Sequence, residues 1–146
     1  MAIYFYKEFG ELGYLASYSL HGFYKDGIYW RTTEHFYQAH KFEDEQVRQR
    51  IINAQTPKEA SRIGRSKEYK IKDNWDDIRA EVTYEAVLLK FQEHADIREK
   101  LCSTGEEGII EKTTKENYWG CGPKCDGTNM YGKILCQVRE VLKDYR

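Results

Sequence analysis

The sequence predicts a helix-dominated α+β domain with a small N-terminal β-sheet. Two observations carry that reading. Aromatic and β-branched runs are concentrated before Arg31, whereas helix-start signals recur from Thr32 onward. The length of 146 residues suits a single domain spanning 1–146, large enough to bury a core without staples.

The elements follow in order. Ala2-Ile3-Tyr4-Phe5-Tyr6 reads as a strand. Phe23-Tyr24 and Ile28-Tyr29-Trp30 flank Lys25-Asp26-Gly27, and Asp-Gly between aromatic runs is a hairpin signal. Gly13–Gly22 between them is an irregular polar and aromatic loop. Thr32 or Thr33 caps a helix running to about Phe42, with Phe36, Ala39 and His40 on one face and Glu34, Gln38 and Lys41 on another. A second helix covers about Glu45–Ala54. Thr56-Pro57-Lys58-Glu59 forms a capping box with Pro at the first helical position, opening a helix that ends near Gly64. Asn74 can cap the longest helix, Trp75 to about Glu93, with Ile78, Val82 and Leu89 inward. Ala95–Ser103 is a further helix closed by Gly105, and Gly108-Ile109-Ile110-Glu111 a short strand. Asn117–Thr128 carries Gly120, Gly122, Gly127 and Pro123 and reads as a loop. The last helix runs from about Asn129 to Lys143, with Met130, Ile134, Val138 and Val141 inward.

Charge bounds the function. Lys+Arg is 23 and Asp+Glu is 24, a net charge of -1. Such a balance gives no broad pull toward a nucleic-acid backbone. No apolar stretch is long enough to span a membrane. Met1–Lys7 reads as strand rather than as an export signal, so the expected compartment is the cytoplasm and Cys102, Cys121, Cys125 and Cys136 are expected to be reduced thiols. Cys121 and Cys125 lack two further ligands at comparable spacing, so no metal is expected. No cofactor and no obligate protein partner are indicated.

Three segments could carry chemistry. The run Thr33–Phe42 puts a carboxylate, an amide and an amine on one helix face. Spacing alone favours a solvated Glu–Lys pair, but two aromatic-rich strands lead into this helix and place its first turn in a cleft. Its N-terminal N–H groups suit phosphate. Tyr118–Gly122 with Asp126–Lys133 is glycine-rich, which lets backbone approach a ligand, although Asp126 and Asn129 also read as caps. Gly132 inside a helix costs about 1 kcal/mol relative to Ala, which points to close packing or a ligand. Trp75 after Asn74 reads first as a staple or core residue.

Taken together, these segments resemble the NADAR/YbiA-like family. Thr33–Phe42 resembles its signature helix. Ala54, Pro57, Glu59, Ala60, Gly64 and Arg65 resemble the segment that follows, Asn74-Trp75-Asp76 a later helix start, and Leu101–Gly105 a turn. Trp119-Gly120 and Gly122, then Asp126-Gly127, Asn129-Met130 and Gly132-Lys133, resemble its C-terminal segment. The resemblance covers almost the whole chain. The family's early segment is matched only loosely, by Leu15–Ser19, and the Cys121–Cys125 pair lies outside its pattern.

The resemblance implies an N-glycosidase that hydrolyses the bond between ribose C1′ and an exocyclic amine. The implied partners are ADP-ribosylated guanine in nucleic acid or a small phosphorylated ribosylamine, such as the ribosylamino-pyrimidine phosphates of riboflavin biosynthesis. It implies Glu34 as the carboxylate that stabilises the cationic centre or activates water. Asp126 would be a second acidic group. Lys41 would be a Schiff-base nucleophile or a phosphate ligand. Trp75 would stack the leaving base, and Gln38, Trp119, Gly120, Gly122, Gly127 and Asn129 would hold ribose or phosphate. These residues are expected to meet in one cleft. The alternative is a non-catalytic module that binds ADP-ribose or nucleotides.

Overall fold

The computed structural model describes residues 1–145. Six α-helices and four short strands follow one another along these residues. The backbone forms two compact units. One is Leu20–Lys90; the other combines Met1–Ser19 with the chain from Phe91 onward.

In the first unit, β2 (Phe23–Lys25) and β3 (Ile28–Trp30) form a hairpin, paired antiparallel with Phe23 opposite Trp30. Asp26 and Gly27 both take positive φ, as a tight two-residue turn requires. The hairpin's inward residues, Phe23 and Trp30, join Phe36, Ala39, Phe42, Val47, Ile51, Ala60 and Ile63 in one core. Three short helices supply most of it: α1 (Thr33–Ala39), α2 (Glu45–Ile52) and α3 (Pro57–Gly64).

Each start is set by a side chain. Thr32 accepts from the His35 N–H, Asp44 from that of Gln46, and Thr56 from that of Glu59. The expected box at Thr56 is made on one side only, because the Glu59 carboxylate turns to Arg62 instead of returning to the cap. α1 is also shorter than its pattern suggests: it ends at Ala39, with His40 as C-cap, so Lys41 and Phe42 lie in the turn beyond it. His40 Nδ1 donates to the Phe36 carbonyl at 2.6 Å and the imidazole stacks on the Phe36 ring. That bond is a second one to a carbonyl that already accepts from the His40 backbone N–H at the helix end.

The long helix α4 (Trp75–Glu93) crosses the boundary at Lys90. Its buried positions are Trp75, Thr83, Ala86, Val87, Lys90 and Phe91. The expected inner set is thus rotated: Val82 and Leu89 are only partly buried against the core and Ile78 is half-buried.

In the second unit, β1 (Ala2–Phe5) pairs in parallel with β4 (Gly108–Glu111), from Ala2 beside Gly108 to Phe5 beside Glu111. The N-terminal strand therefore finds its partner late in the chain rather than in the hairpin, and the expected small sheet is two separate two-stranded ribbons. Helices α5 (Ala95–Ser103) and α6 (Met130–Leu142) complete the unit. Ile134, Leu135, Val138 and Leu142 are buried, whereas Val141, expected inward, is 55% exposed because the buried stripe passes through Leu142. Gly132 is explained by packing. A Cβ there would overlap the Ile109 carbonyl oxygen, so α6 lies directly on β4.

Candidate active site

The first turn of α1 is fixed by buried hydrogen bonds of Thr32 and His35. His35 is fully buried. Its Nε2–H donates to the Ala54 carbonyl at 2.9 Å, and its Nδ1 receives the Thr32 hydroxyl at 2.8 Å. This tautomer follows from the acceptor-only carbonyl. Burial holds the imidazole below its ordinary pKa. The cap residue and the end of α2 are thereby tied to the residue beside Glu34.

Glu34 is 8% exposed and Gln38 3%. They stand one turn apart, and Gln38 Nε2 donates to Glu34 Oε2 at 2.8 Å. Gln38 Oε1 is buried with no hydrogen-bond partner among the described residues. Lys41, just past the helix, reaches α3: its Nζ donates to the Gly64 carbonyl at 2.7 Å. That carbonyl is one of the last of α3, where a helix leaves acceptors open and carries partial negative charge. Burial lowers the Lys41 pKa; the Glu34 charge opposes the shift and Arg65 adds to it. Of the Glu34–Gln38–Lys41 face expected from spacing, Glu34 and Gln38 share α1, while Lys41 lies in the turn beyond the helix and bonds to α3.

Trp75 is 6% exposed, and its ring meets that of Tyr37 edge-on with centroids 5.1 Å apart. Tyr37 is only half-buried. The aromatic surface beside Glu34 on α1 is thus Tyr37, with Trp75 packed against it. Tyr37 lies three residues after Glu34, the spacing of helical neighbours, and that signal was available in the sequence.

The remaining expected residues belong to the other unit. Gly120, Gly127 and Asn129 are held by a chain of backbone bonds, Gly127 N–H to Cys121 O at 2.8 Å and Asn129 N–H to Gly120 O at 3.0 Å. Asn129 takes a left-handed conformation and does not cap α6 with its side chain. Its carboxamide bridges β4 instead, accepting from the Glu111 N–H at 3.0 Å and donating to the Ile109 carbonyl at 2.9 Å. The loop N–H groups assigned to ribose or phosphate are also engaged. The Glu116 carboxylate accepts from Tyr118, Trp119 and Gly120 at 3.0, 2.7 and 3.0 Å, and the Gly122 N–H donates to Thr113 Oγ1 at 2.9 Å. Both changes have one cause: buried backbone and amide groups find partners inside the protein when a turn brings them close. Asp126 is exposed, Gly122 is buried and takes positive φ, and Trp119 is half-buried against Tyr118.

Sequence reasoning missed two residues. Glu116 is the internal anion of the loop, and only its position before Tyr118-Trp119-Gly120 hinted at it. Lys90 is fully buried and its amine is pushed down to about 7 by burial. Its sequence signal was a lysine inside the apolar run Ala86–Phe91.

The four cysteines are free thiols. Among the described residues, no group of three His, Cys, Asp or Glu side chains comes together to hold a metal ion, and no helix is long and apolar enough to cross a membrane. A groove of about 600 Å³ is lined by Asp44, Tyr69, Lys72 and Asn74 among others, and Glu34, Gln38 and Lys41 are not among its lining residues.

Comparison with known proteins adds four findings. A family model, NADAR domain, matches residues 4–143. An N-glycosidase of Nostoc punctiforme is 41% identical over 99% of this chain and 94% of its own length. A riboflavin biosynthesis protein of Vibrio vulnificus is 33% identical over 98% of this chain, which spans 39% of that longer protein. Among solved structures, the NMR structure of the Escherichia coli protein YbiA superposes with a TM-score of 0.90 at 33% identity, covering 97% of this chain and 84% of that one.

Proposed function

The chain belongs to the NADAR domain family, and on that premise we propose that it is an N-glycosidase that hydrolyses the bond between ribose C1′ and an exocyclic amine. One observation supports the assignment of the chemistry to α1. A buried carboxylate, Glu34, is held by Gln38, and close enough to act on it electrostatically is a lysine amine whose pKa burial lowers.

Cleavage of the C1′–N bond leaves positive charge on the sugar carbon and requires a proton on the departing amine. A carboxylate in a site poor in water stabilises such a cation far better than one in bulk solvent. Glu34 then accepts a proton from the attacking water as its oxygen bonds to C1′. The water's second hydrogen stays on the sugar as the new hydroxyl; the C1′–N bond breaks as the amine nitrogen takes a proton from solvent, and Glu34 returns its proton to solvent. Lys41 serves in one of two ways. As a neutral amine it attacks C1′ of the ring-opened iminium, the substrate amine leaves with one of the Lys41 Nζ protons as its bond to C1′ breaks, and water hydrolyses the resulting protonated Lys41 imine; as a cation it binds a substrate phosphate. Tyr37, backed by Trp75, offers the aromatic face for the base. Asp126 is assigned as a second acidic group on the resemblance alone.

The substrate class follows the same reasoning. A ribosylamino-pyrimidine phosphate is the first choice, because relatives named for riboflavin biosynthesis carry this domain. ADP-ribosylated guanine in nucleic acid presents the same ribose-to-amine bond and is the second. The test is to incubate the purified protein with each substrate and measure amine release, with Glu34→Gln as control. Release from either substrate that depends on Glu34 supports the reading. Ligand binding without turnover on both would leave a binding module instead.

A further inference from the structure

We infer that Gly64, the last residue of α3, is a positioning residue that sets Glu34 and Lys41 together; the inference rests on the assignment of the chemistry to those two side chains. Gly64 reaches Lys41 directly and Glu34 through Gln38. Its carbonyl accepts from Lys41 Nζ at 2.7 Å. Its missing side chain is the space that the Gln38 carboxamide fills. A Cβ at position 64 would overlap Gln38 Oε1, and would stand 2.7 Å from its Cδ and 2.9 Å from its Cβ. Real Cβ atoms essentially never come this close.

The last distance decides what a substitution does. Turning the Gln38 side chain about its Cα–Cβ bond moves Oε1 and Cδ but leaves Cβ where it is. A residue with a side chain at 64 therefore displaces the carboxamide and also pushes α1 away from α3. Gln38 Nε2 is the group that donates to Glu34 Oε2, so the displacement releases the Glu34 carboxylate. The same shift stretches the bond from Lys41 to the Gly64 carbonyl.

Local preference does not explain glycine here. Gly64 lies inside the helical range and is absent from the positive-φ positions, so alanine fits its backbone conformation. Glycine is the poorest helix former after proline. Helix propensity and unfolded-state entropy both favour alanine at such a site. Contact with Gln38 is what excludes it.

The test uses Gly64→Ala, Gln38→Ala and the double variant in the full chain, with the substrate that the wild-type protein turns over faster. Gly64→Ala is expected to lower kcat at least tenfold with KM within about threefold, since the substrate is still bound but the carboxylate is misplaced. Gln38→Ala is expected to do the same, and the double variant to lose less than the product of the two single losses, because the carboxamide contact is shared by both changes while the Cβ at 38 remains. A second readout does not depend on activity. The side-chain NH₂ signals of Gln38, assigned in a ¹⁵N spectrum by their loss in Gln38→Ala, should exchange slowly in the wild type. They should move to solvent-like positions in Gly64→Ala. Unmoved signals, or kinetic losses that multiply in the double variant, overturn the inference. Moved signals with kcat unchanged overturn the catalytic assignment of Glu34 rather than the contact. If Gly64→Ala fails to fold, recovery of folding when Gln38→Gly, which also removes the Cβ at 38, is combined with it supports the inference, and failure of both overturns it.

Discussion

Gln38 Nε2 donates to Glu34 Oε2 across 2.8 Å, one turn apart on α1, and the carboxylate so held is 8% exposed. A carboxylate that accepts from a fixed amide is oriented before substrate arrives, which is what electrostatic catalysis requires. Glu34→Gln keeps shape and hydrogen bonding and removes the charge. Turnover should fall at least about a hundredfold, the usual scale for a group of this kind. Melting temperature and ligand binding should stay close to wild type. Near-normal kcat in this variant would remove the mechanism.

Lys41 separates two roles. If it forms an imine, borohydride added during turnover traps a covalent adduct, and mass spectrometry of the digested protein places it on Lys41. Lys41→Ala then loses both the adduct and kcat. If it binds phosphate, Lys41→Ala raises KM and keeps most of kcat. An adduct on Lys90, the other buried amine of lowered pKa, would move the nucleophile to α4.

His35 predicts acid sensitivity. Burial, then the Arg31 charge, lower its pKa, while the bond to the Ala54 carbonyl opposes them. His40 is lowered as well, first by burial. A base whose folded pKa is depressed takes up its proton first in the unfolded chain. Stability is therefore full above the ordinary value of 6.5 and declines as pH falls below it. Urea midpoints between pH 8 and 5 should fall, and His35→Gln should flatten part of that slope. A wild-type midpoint flat over this range would contradict the neutral, buried His35.

Lys90 acts on the other side of neutrality. Its amine is pushed from 10.5 down to about 7 by burial. Between those values the unfolded chain binds the extra proton, so stability rises as pH goes from about 7 toward 10.5. Lys90→Met keeps the volume and drops the charge. It should abolish that rise and be more stable than wild type at pH 7, by denaturant titration. A less stable variant with an unchanged slope would mean the amine is charged and held in place.

Glu116 holds three successive N–H groups of the loop that carries Asp126. Hydrogen bonds to a charged group contribute roughly 1.5–3 kcal/mol each at most, so Glu116→Ala should lower stability by about 2 kcal/mol or more. It should also speed amide exchange at Trp119 and Gly120. Unchanged exchange there would show that the loop is held by other contacts.

The sequence by itself determined the element order, because its signals are local. Thr32, Asp44 and Thr56 sit where a side-chain oxygen meets the first free N–H groups of a helix, and Asp26-Gly27 suits only a tight turn. The pairing of Glu34 with Gln38 was legible for the same reason, since four residues make one helical turn. Tertiary structure decided what depends on distant partners. β1 could not announce β4, more than a hundred residues later. Lys41 was read as a face of α1, yet a helix end at Ala39 and an open carbonyl at Gly64 turned it toward α3. Asn129 and the N–H groups of Trp119 and Gly120 looked available to a ligand, but Ile109, Glu111 and Glu116 satisfy them. The rule is physical: a buried polar group is committed by whatever partner folding brings within 3 Å or so, and sequence spacing shows that partner only when it lies within a turn or two.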